Sequence, residues 1–142
     1  MPIKGMDHFT VLTADLNKTL EFYTALLDLT AGPRPAFADR GAWLYADNHP
    51  VLHVMADAKM PAETAGVLDH MAFRVTDLPA TAARLKAAGI KFLLKRQVTT
   101  HTWQIFCHDP SGAKVELDFS PDEPLPAGVA DFKYPTTLEV AP

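Results

Sequence analysis

DHFTVLTADL, at residues 7–16, returns 62 positions later as DHMAFRVTDL, at residues 69–78. Both segments open on an Asp-His pair, continue through β-branched and apolar residues, and close on an Asp-Leu pair. Two later segments, VLHV at 51–54 and KVEL at 114–117, follow nearly the same offset. This internal repetition predicts two copies of one structural module.

Each copy carries an imidazole or a carboxylate at the same two points. His8 and His70 are 62 positions apart, and His53 and Glu116 are 63 positions apart. A solitary histidine in a strand is more often an ordinary hydrogen-bonded residue, but the joint spacing favours ligands of a divalent metal. We therefore predict one shared metal site built from these four residues.

The composition is that of an ordinary soluble globular protein, with 48% apolar and 21% charged residues among 142. A formal net charge of −4 without a basic cluster argues against nucleic acid or a membrane surface as a partner. No apolar run approaches the ~20 residues that span a bilayer, and the start of the chain lacks the apolar stretch of a signal peptide. The single cysteine, Cys107, fits a reducing compartment and a core position. We expect a cytoplasmic protein.

Both copies predict the element order β-α-β-β-β, which places the chain in the α+β class. We assign residues 1–142 to a single domain, with module one at about 6–56, a connector at 57–68, module two at 69–120 and a Pro-rich tail at 121–142. Because the tail contains five prolines, it cannot continue a helix or a central strand.

Each predicted helix begins at an aspartate that can cap free backbone N–H groups. The apolar stripes are Leu16, Leu20, Tyr23 and Leu27 after Asp15, and Leu78, Ala82, Leu85 and Ala88 after Asp77, with Gly89 ending the second helix. The predicted strands are 8–12, 42–45, 51–55, 70–75, 92–94, 103–107 and 114–119, with a weaker one at 29–30. Turns are predicted at 47–50 and 109–112.

With these motifs, the chain resembles the vicinal oxygen chelate superfamily, which includes glyoxalase I, bleomycin-resistance proteins, fosfomycin-resistance enzymes, methylmalonyl-CoA epimerase and extradiol dioxygenases. The resemblance covers residues 6–120 and is carried by the two Asp-His pairs, Phe22-Tyr23, and the 109–112 turn that leads to Glu116. RPAF at 34–37 and GAWLY at 41–45 are similar to a bacterial glyoxalase-like subgroup. The resemblance implies two tandem βαβββ modules that form an open, cup-shaped mixed sheet around a metal site.

The same resemblance implies that His8, His53, His70 and Glu116 hold one divalent ion, either Ni, Zn, Mn or Fe(II). Glyoxalase I usually has an acidic residue at the position of His53, so Glu116 is the only carboxylate of this set. His53 is then a fourth ligand, a general base that acts with Glu116 in catalysis, or a wall residue of the site.

Five further residues are candidates for binding substrate. Trp43 and Tyr45 are predicted to share one strand face, as are Gln104 and Phe106, and both pairs suit an apolar pocket with few polar groups. Arg34 lies between two prolines, where it can clamp a carboxylate. The competing interpretations are core packing for Trp43 and plain solvation for Arg34.

Three functions are compatible with these residues. The first is a glyoxalase-like metalloenzyme that binds a small substrate through two vicinal oxygens and catalyses a lyase or isomerase step. The second is a single-domain Fe(II) extradiol dioxygenase, since two histidines and one carboxylate suit non-haem iron. The third is a metal-free resistance protein that binds a drug or metabolite. The resemblance also implies a homodimer, with the metal site within one chain or shared between two.

Overall fold

The computed structural model describes residues 2–36, 40–56, 59–132 and 136–142. The chain divides into two compact units, Met1–Thr64 and Ala65–Pro142. The division falls in the predicted connector, of which residues 57 and 58 lie outside the described residues. Each unit is built on one mixed sheet with few helices, which confirms the α+β class and the two βαβββ modules.

The first unit is a four-stranded sheet in the order β1-β4-β3-β2. Its elements are β1 (Phe9–Thr13), α1 (Leu16–Glu21), a π-helical turn (Phe22–Leu26), β2 (Thr30–Gly32), β3 (Gly41–Ala46) and β4 (His49–Ala56). Strand β1 runs parallel to β4, and the two other pairings are antiparallel. The weakly signalled strand near residue 29 is therefore confirmed as β2.

The first helix begins as predicted, but of its predicted apolar stripe only Tyr23 is buried. The Asp15 side chain accepts from the backbone N–H of Lys18 and caps the helix. After Glu21 the helix widens into the π-helical turn, which shifts the spacing of later side chains. The buried residues are Thr19, Phe22 and Tyr23, whereas Leu16, Leu20 and Leu27 are only half-buried. The predicted stripe is thus confirmed at Tyr23 and less buried than predicted at its three leucines, of which only Leu27 follows the π-helical turn.

Strands β3 and β4 form a tight hairpin. Asp47 and Asn48 both have positive φ, 46° and 66°, which is the backbone of a two-residue type I′ turn. His49 and Pro50 belong to β4, so the predicted four-residue turn was too long. Gly41 opens β3 where a Cβ atom would lie 2.2 Å from the backbone oxygen of Val54, so only glycine fits there.

The second unit is a five-stranded sheet in the order β5-β8-β7-β6-β9. Its elements are β5 (Met71–Arg74), α2 (Leu78–Ala87), β6 (Phe92–Arg96), β7 (Trp103–His108), β8 (Lys114–Phe119) and β9 (Thr137–Val140). Strand β5 is parallel to β8, and the other pairings are antiparallel. Strand β9 was not predicted. The Pro-rich tail forms it at the sheet edge, where prolines flank the strand without interrupting an inner ladder.

Helix α2 and the turn before β8 agree with the sequence. Asp77 caps α2 at the N–H of Ala80, and Gly89 follows the helix with φ of 73°. Leu78, Ala82 and Leu85 are buried, but Ala88 is exposed because the helix has ended before it. The core also contains Cys107, and its burial, reinforced by Asp109, raises the pKa of its thiol to about 12. This thiol is a core group rather than a nucleophile.

Candidate metal centre

His53 occupies the centre of the first unit's sheet. In β4 it pairs with Thr10 of β1 and with Trp43 of β3, so a neighbouring strand flanks it on each side within the sheet. His8 immediately precedes β1, so the observed strand begins one residue later than the predicted one. Both imidazoles contact the same indole, that of Trp43.

The three rings form a compact aromatic group. The His53 ring stacks on Trp43 at 4.8 Å between centroids with an interplanar angle of 6°. The His8 ring meets Trp43 edge-on at 4.4 Å, and the His8 and His53 centroids are 6.4 Å apart. The Trp43 Nε1 atom is buried and has no hydrogen-bond partner among the described residues. Trp43 therefore fixes the orientation of both imidazoles by packing.

His53 is 9% exposed, and this burial is the main cause that lowers its pKa below 6.5. The positive charges of Arg34 and His8 lower the pKa further. The Arg34 guanidinium also lies close to Gly41, at the start of β3. His53 is thus held as a neutral imidazole, the form that binds a metal or accepts a proton.

The His8 ring is oriented by its sequence neighbour. Its Nδ1 atom lies 2.5 Å from Oδ1 of Asp7. Because a carboxylate only accepts, the Nδ1 atom carries a proton, and the Nε2 atom is the nitrogen through which this ring can bind a metal. An outer carboxylate on one nitrogen of a metal-binding histidine is a common arrangement in metal sites.

The second unit repeats this arrangement. The Nδ1 atom of His70 donates to Oδ2 of Asp69 at 2.6 Å, and Lys114 Nζ donates to the same oxygen at 2.8 Å. The two donors, Lys114 first and His70 second, lower the pKa of Asp69 to about 2. Asp69 is therefore ionised at neutral pH, and its charge fixes the His70 tautomer.

His70 and Glu116 meet directly. Glu116 pairs with Ala72 of β5 and Phe106 of β7, while His70 immediately precedes β5. The Nε2 atom of His70 lies 2.6 Å from Oε2 of Glu116. An imidazole nitrogen and a carboxylate oxygen at this distance share a proton in a hydrogen bond. The donor chemistry of this pair fits a divalent metal.

Glu116 is buried and held by an amide. The Gln104 side chain donates to Oε1 of Glu116 and, at 3.0 Å, to Oδ1 of Asp118. Burial is the largest cause that raises the pKa of Glu116, and Asp118 raises it further, whereas His70 and Lys114 act in the opposite direction. The carboxyl group is therefore oriented and closer to titration at neutral pH than an ordinary glutamate.

The predicted substrate-binding residues differ from one another in their contacts. Gln104 contacts Glu116, Phe106 meets the His70 ring edge-on at 5.8 Å, and Trp43 stacks on His53. A register shift follows Leu44 in β3, and the hydroxyl of Tyr45 donates to the Pro33 carbonyl at 2.7 Å. The shift leaves Val51 of β4 unpaired and does not interrupt β3, whose pairing with β2 keeps Trp43 opposite Gly32 and Tyr45 opposite Thr30. Trp43 and Tyr45 therefore lie on one strand face, as predicted. Phe37, part of the similarity motif, lies outside the described residues.

The structure thus brings the predicted ligands together as two pairs, one in each unit. In residues 2–36, 40–56, 59–132 and 136–142, no three His, Cys, Asp or Glu side chains form a group arranged to hold a metal ion. The four-residue ligand set therefore stays a prediction. Sequence reasoning missed Asp7 and Asp69 as partners of the histidines, although the repeated Asp-His dipeptide was a visible signal.

The chain belongs to a known superfamily. The family model described as Glyoxalase/Bleomycin resistance protein/Dioxygenase superfamily matches residues 5–117. No curated protein matches the sequence. No helix within the described residues is long and apolar enough to cross a membrane.

Solved structures share the fold at low sequence identity. A glyoxylase/bleomycin resistance protein/dioxygenase domain from Frankia sp. EAN1pec is 20% identical with a TM-score of 0.68, covering 85% of this chain and 95% of its own. A mutant fosfomycin resistance protein from Listeria monocytogenes, in complex with Mn(II) and 1S,2S-dihydroxypropylphosphonic acid, is 19% identical with a TM-score of 0.68, covering 84% and 94%. Lactoylglutathione lyase from Agrobacterium tumefaciens is 16% identical with a TM-score of 0.59, covering 85% and 97%.

Proposed function

We propose that this protein is a divalent-metal-dependent enzyme of the glyoxalase type. Its substrate is a small molecule that presents two vicinal oxygens, and the reaction is a proton transfer of the isomerase or lyase kind. The metal ligands that we assign are His8, His53, His70 and Glu116. The superfamily includes both metal-dependent enzymes and metal-free binding proteins, so the metal is the central element of the proposal.

The observation that carries the proposal is the repeated carboxylate–histidine pair. Asp7 and Asp69 each bind the Nδ1 atom of the following histidine, at 2.5 Å and 2.6 Å. A carboxylate on Nδ1 gives a metal-binding histidine a fixed tautomer and greater basicity. Its appearance at equivalent points of two modules favours a ligand role over a chance ion pair.

The chemistry of the donors suits a Lewis acid. Three neutral imidazoles and one carboxylate leave a divalent ion with net positive charge. Such an ion stabilises negative charge that develops on substrate oxygens. Mn(II) in the Listeria protein with the same fold supports a divalent metal of this type.

Two residues of the chain can move the proton. Glu116 is held in place by Gln104, and burial raises its pKa toward the range in which a carboxylate exchanges protons efficiently. His53 stays neutral because burial lowers its pKa, so it can accept a proton at neutral pH. We assign the catalytic base to Glu116 and, as the other candidate, to His53.

We also propose that the protein works as a cytoplasmic homodimer. Exposed apolar residues lie just ahead of the first strand of each unit, Ile3 and Met6 before β1, and Val67 and Leu68 before β5. A subunit contact at these segments would remove the apolar side chains from water, which favours association. Light scattering of the purified protein tests this assembly, and a monomer at micromolar concentration would contradict it.

Metal content of protein purified without chelator tests the function. We expect about one equivalent of metal per chain, lost in His8→Ala/Glu116→Ala. The matched control is His108→Ala/Glu63→Ala, which removes an exposed histidine and an exposed glutamate. Ni, Zn or Mn would support the glyoxalase-type enzyme, and iron would support ring cleavage instead. No metal in any variant, even after incubation with these ions, would overturn the proposal in favour of a metal-free binding protein.

A further inference from the structure

Lys95 lies on the same sheet face as the His70–Glu116 pair. In β6 it pairs with Gln104, which pairs in turn with Asp118 of β8. Directly opposed residues share a sheet face, and Glu116 shares it too because it is two positions from Asp118. The Lys95 ammonium sits 4.9 Å above the centroid of Phe106, the ring that also meets His70.

The Lys95 residue is half-buried, and its ammonium binds no carboxylate of the described residues. Within the part of the chain that the structure describes, Lys95 forms no ion pair, whereas Lys114 binds Asp69 at 2.8 Å and Arg96 binds Asp131 at 3.2 Å. The face of an aromatic ring attracts a cation but does not neutralise its charge. Lys95 thus presents a positive charge that no carboxylate among the described residues binds, and such a charge suits an anionic ligand.

A second ammonium strengthens the positive potential at this point. Lys114 Nζ lies 5.6 Å from the same Phe106 centroid, although it is held by Asp69. On one side of Lys95, Glu116 and Asp118 are bound to the Gln104 amide, and Glu116 also meets His70. On the other side, Glu139 of β9 lies opposite Leu93 on the same face and forms no ion pair with Lys95. The carboxylate of Glu139 faces solvent at the sheet edge, so the positive charge beside Phe106 is not neutralised by a bound carboxylate.

We propose that Lys95 binds an oxyanion group of the substrate, a carboxylate, phosphonate or phosphate, while Phe106 packs against the carbon atoms beside it. The inference rests on the proposed function, because it places the vicinal oxygens of the same molecule at the metal. The substrate class is then a small molecule with two adjacent oxygens at one end and an oxyanion at the other. Lys95 acts in binding and specificity rather than in the chemical step.

Three hydroxamates of matched length provide the probes. Hydroxamates chelate metals through two adjacent oxygens, and butyrohydroxamate, succinic acid monohydroxamate and 3-phosphonopropionohydroxamate differ only in a terminal methyl, carboxylate or phosphonate. Zinc affinity is measured first, followed by calorimetric titration of zinc-loaded protein with each probe. The variants are Lys95→Met and, as the control of equal charge change, Lys91→Met at an exposed position.

We expect an oxyanion probe to bind the zinc-loaded protein about tenfold more tightly than butyrohydroxamate. Lys95→Met removes this preference without changing butyrohydroxamate binding, and Lys91→Met retains it. The stronger of the two oxyanion probes identifies carboxylate or phosphonate as the group. Equal affinities for all three probes in a zinc-loaded protein would overturn the Lys95 inference and leave the proposed function standing.

A protein that binds none of Zn(II), Ni(II) and Mn(II) would instead contradict the proposed function, and Lys95 is then tested without metal. Succinate and 3-phosphonopropionate are titrated into the metal-free protein and followed by amide NMR. Shifts at Lys95 and Phe106 that vanish in Lys95→Met would support the oxyanion site on its own. Identical shifts in the variant and the wild type would overturn it.

Discussion

The Nε2 atom of His70 lies 2.6 Å from Oε2 of Glu116, although 46 positions separate the two residues in the sequence. Parallel pairing of β5 with β8 produces this contact, because it sets Ala72 opposite Glu116 and leaves His70 just beyond the strand. The same topology pairs β1 with β4 in the first unit, which brings His8 near His53. One strand pairing, used twice, thus creates both candidate ligand pairs.

Glu116→Gln is expected to lower metal affinity about 100-fold, since an amide of the same shape replaces the one carboxylate of the ligand set. Competition against a chelating indicator measures the change. Asp118→Asn is the matched control, because it makes the same chemical change to the other carboxylate that Gln104 binds. Equal losses in the two variants would show that general charge, rather than ligation by Glu116, governs metal binding.

Asp7→Asn and Asp69→Asn are each expected to weaken metal binding about 10- to 100-fold, because the amide no longer fixes the tautomer of the following histidine. Asp122→Asn, at an exposed position, controls for the lost charge. If either aspartate variant bound metal like wild type, the carboxylate–histidine pair would have no role in ligation.

Asp69 also gives a pH dependence of stability. Its pKa falls from 3.8 to about 2 on folding, so its contribution to the free energy of unfolding is present above pH 3.8 and is lost as the pH falls toward 2. Asp69 is fully exposed, so the effect is small and screened by salt. Urea unfolding of wild type and Asp69→Asn at a series of pH values should show two midpoints that converge below pH 3. A constant separation would contradict the expectation.

Trp43 provides an optical signal from the first unit. Trp103→Phe leaves Trp43 as the only tryptophan, and the His53 ring stacks on it at 4.8 Å. Protonated imidazole and paramagnetic Ni(II) or Co(II) at His53 should both quench its fluorescence. In metal-free protein the acid quenching should occur below pH 6.5, because burial, Arg34 and His8 all lower the pKa of His53.

Variants of single histidines show which imidazole quenches the Trp43 fluorescence. His53→Ala should remove both the acid and the metal quenching. His8→Ala should keep the acid transition but move it upward, since one positive neighbour is lost. A transition that survives His53→Ala unchanged would show that another group controls Trp43 emission.

Much of the fold was predictable because the deciding signals are local or repeated. Helix caps at Asp15 and Asp77, the glycine after α2 and strand β8 depend on short-range chemistry, and all four appear as predicted. The π-helical turn at Phe22–Leu26 was not predictable, since tertiary packing of Phe22 and Tyr23 outweighs regular helical spacing. Strand β9 forms because the edge of β6 can pair with the tail. The sequence of the tail alone did not predict this pairing.

For the candidate site, the sequence predicted the four main residues but not the side chains that hold them. Repetition selected His8, His53, His70 and Glu116, and the structure pairs them within each unit. The interactions that tune them, Asp69 with Lys114 and Gln104 with Glu116, join residues of different strands. Such contacts depend on sheet register, which a single sequence specifies only through the fold.

Gly41→Ala is expected to destabilise the first unit by about 1–3 kcal/mol, because an added methyl group meets rigid backbone rather than a side chain that can rotate away. The Cβ atom would lie 2.2 Å from the Val54 oxygen, next to His53 in β4, so the two strands that carry Trp43 and His53 must move apart. Urea unfolding measures the loss, and zinc affinity should fall with it because the Trp43–His53 stack is disturbed. Gly66→Ala is the control, since a Cβ atom there has no neighbour within 4 Å. Comparable stability of the two variants would mean that β3 and β4 tolerate a wider spacing, and that the close approach at Gly41 does not help to position His53.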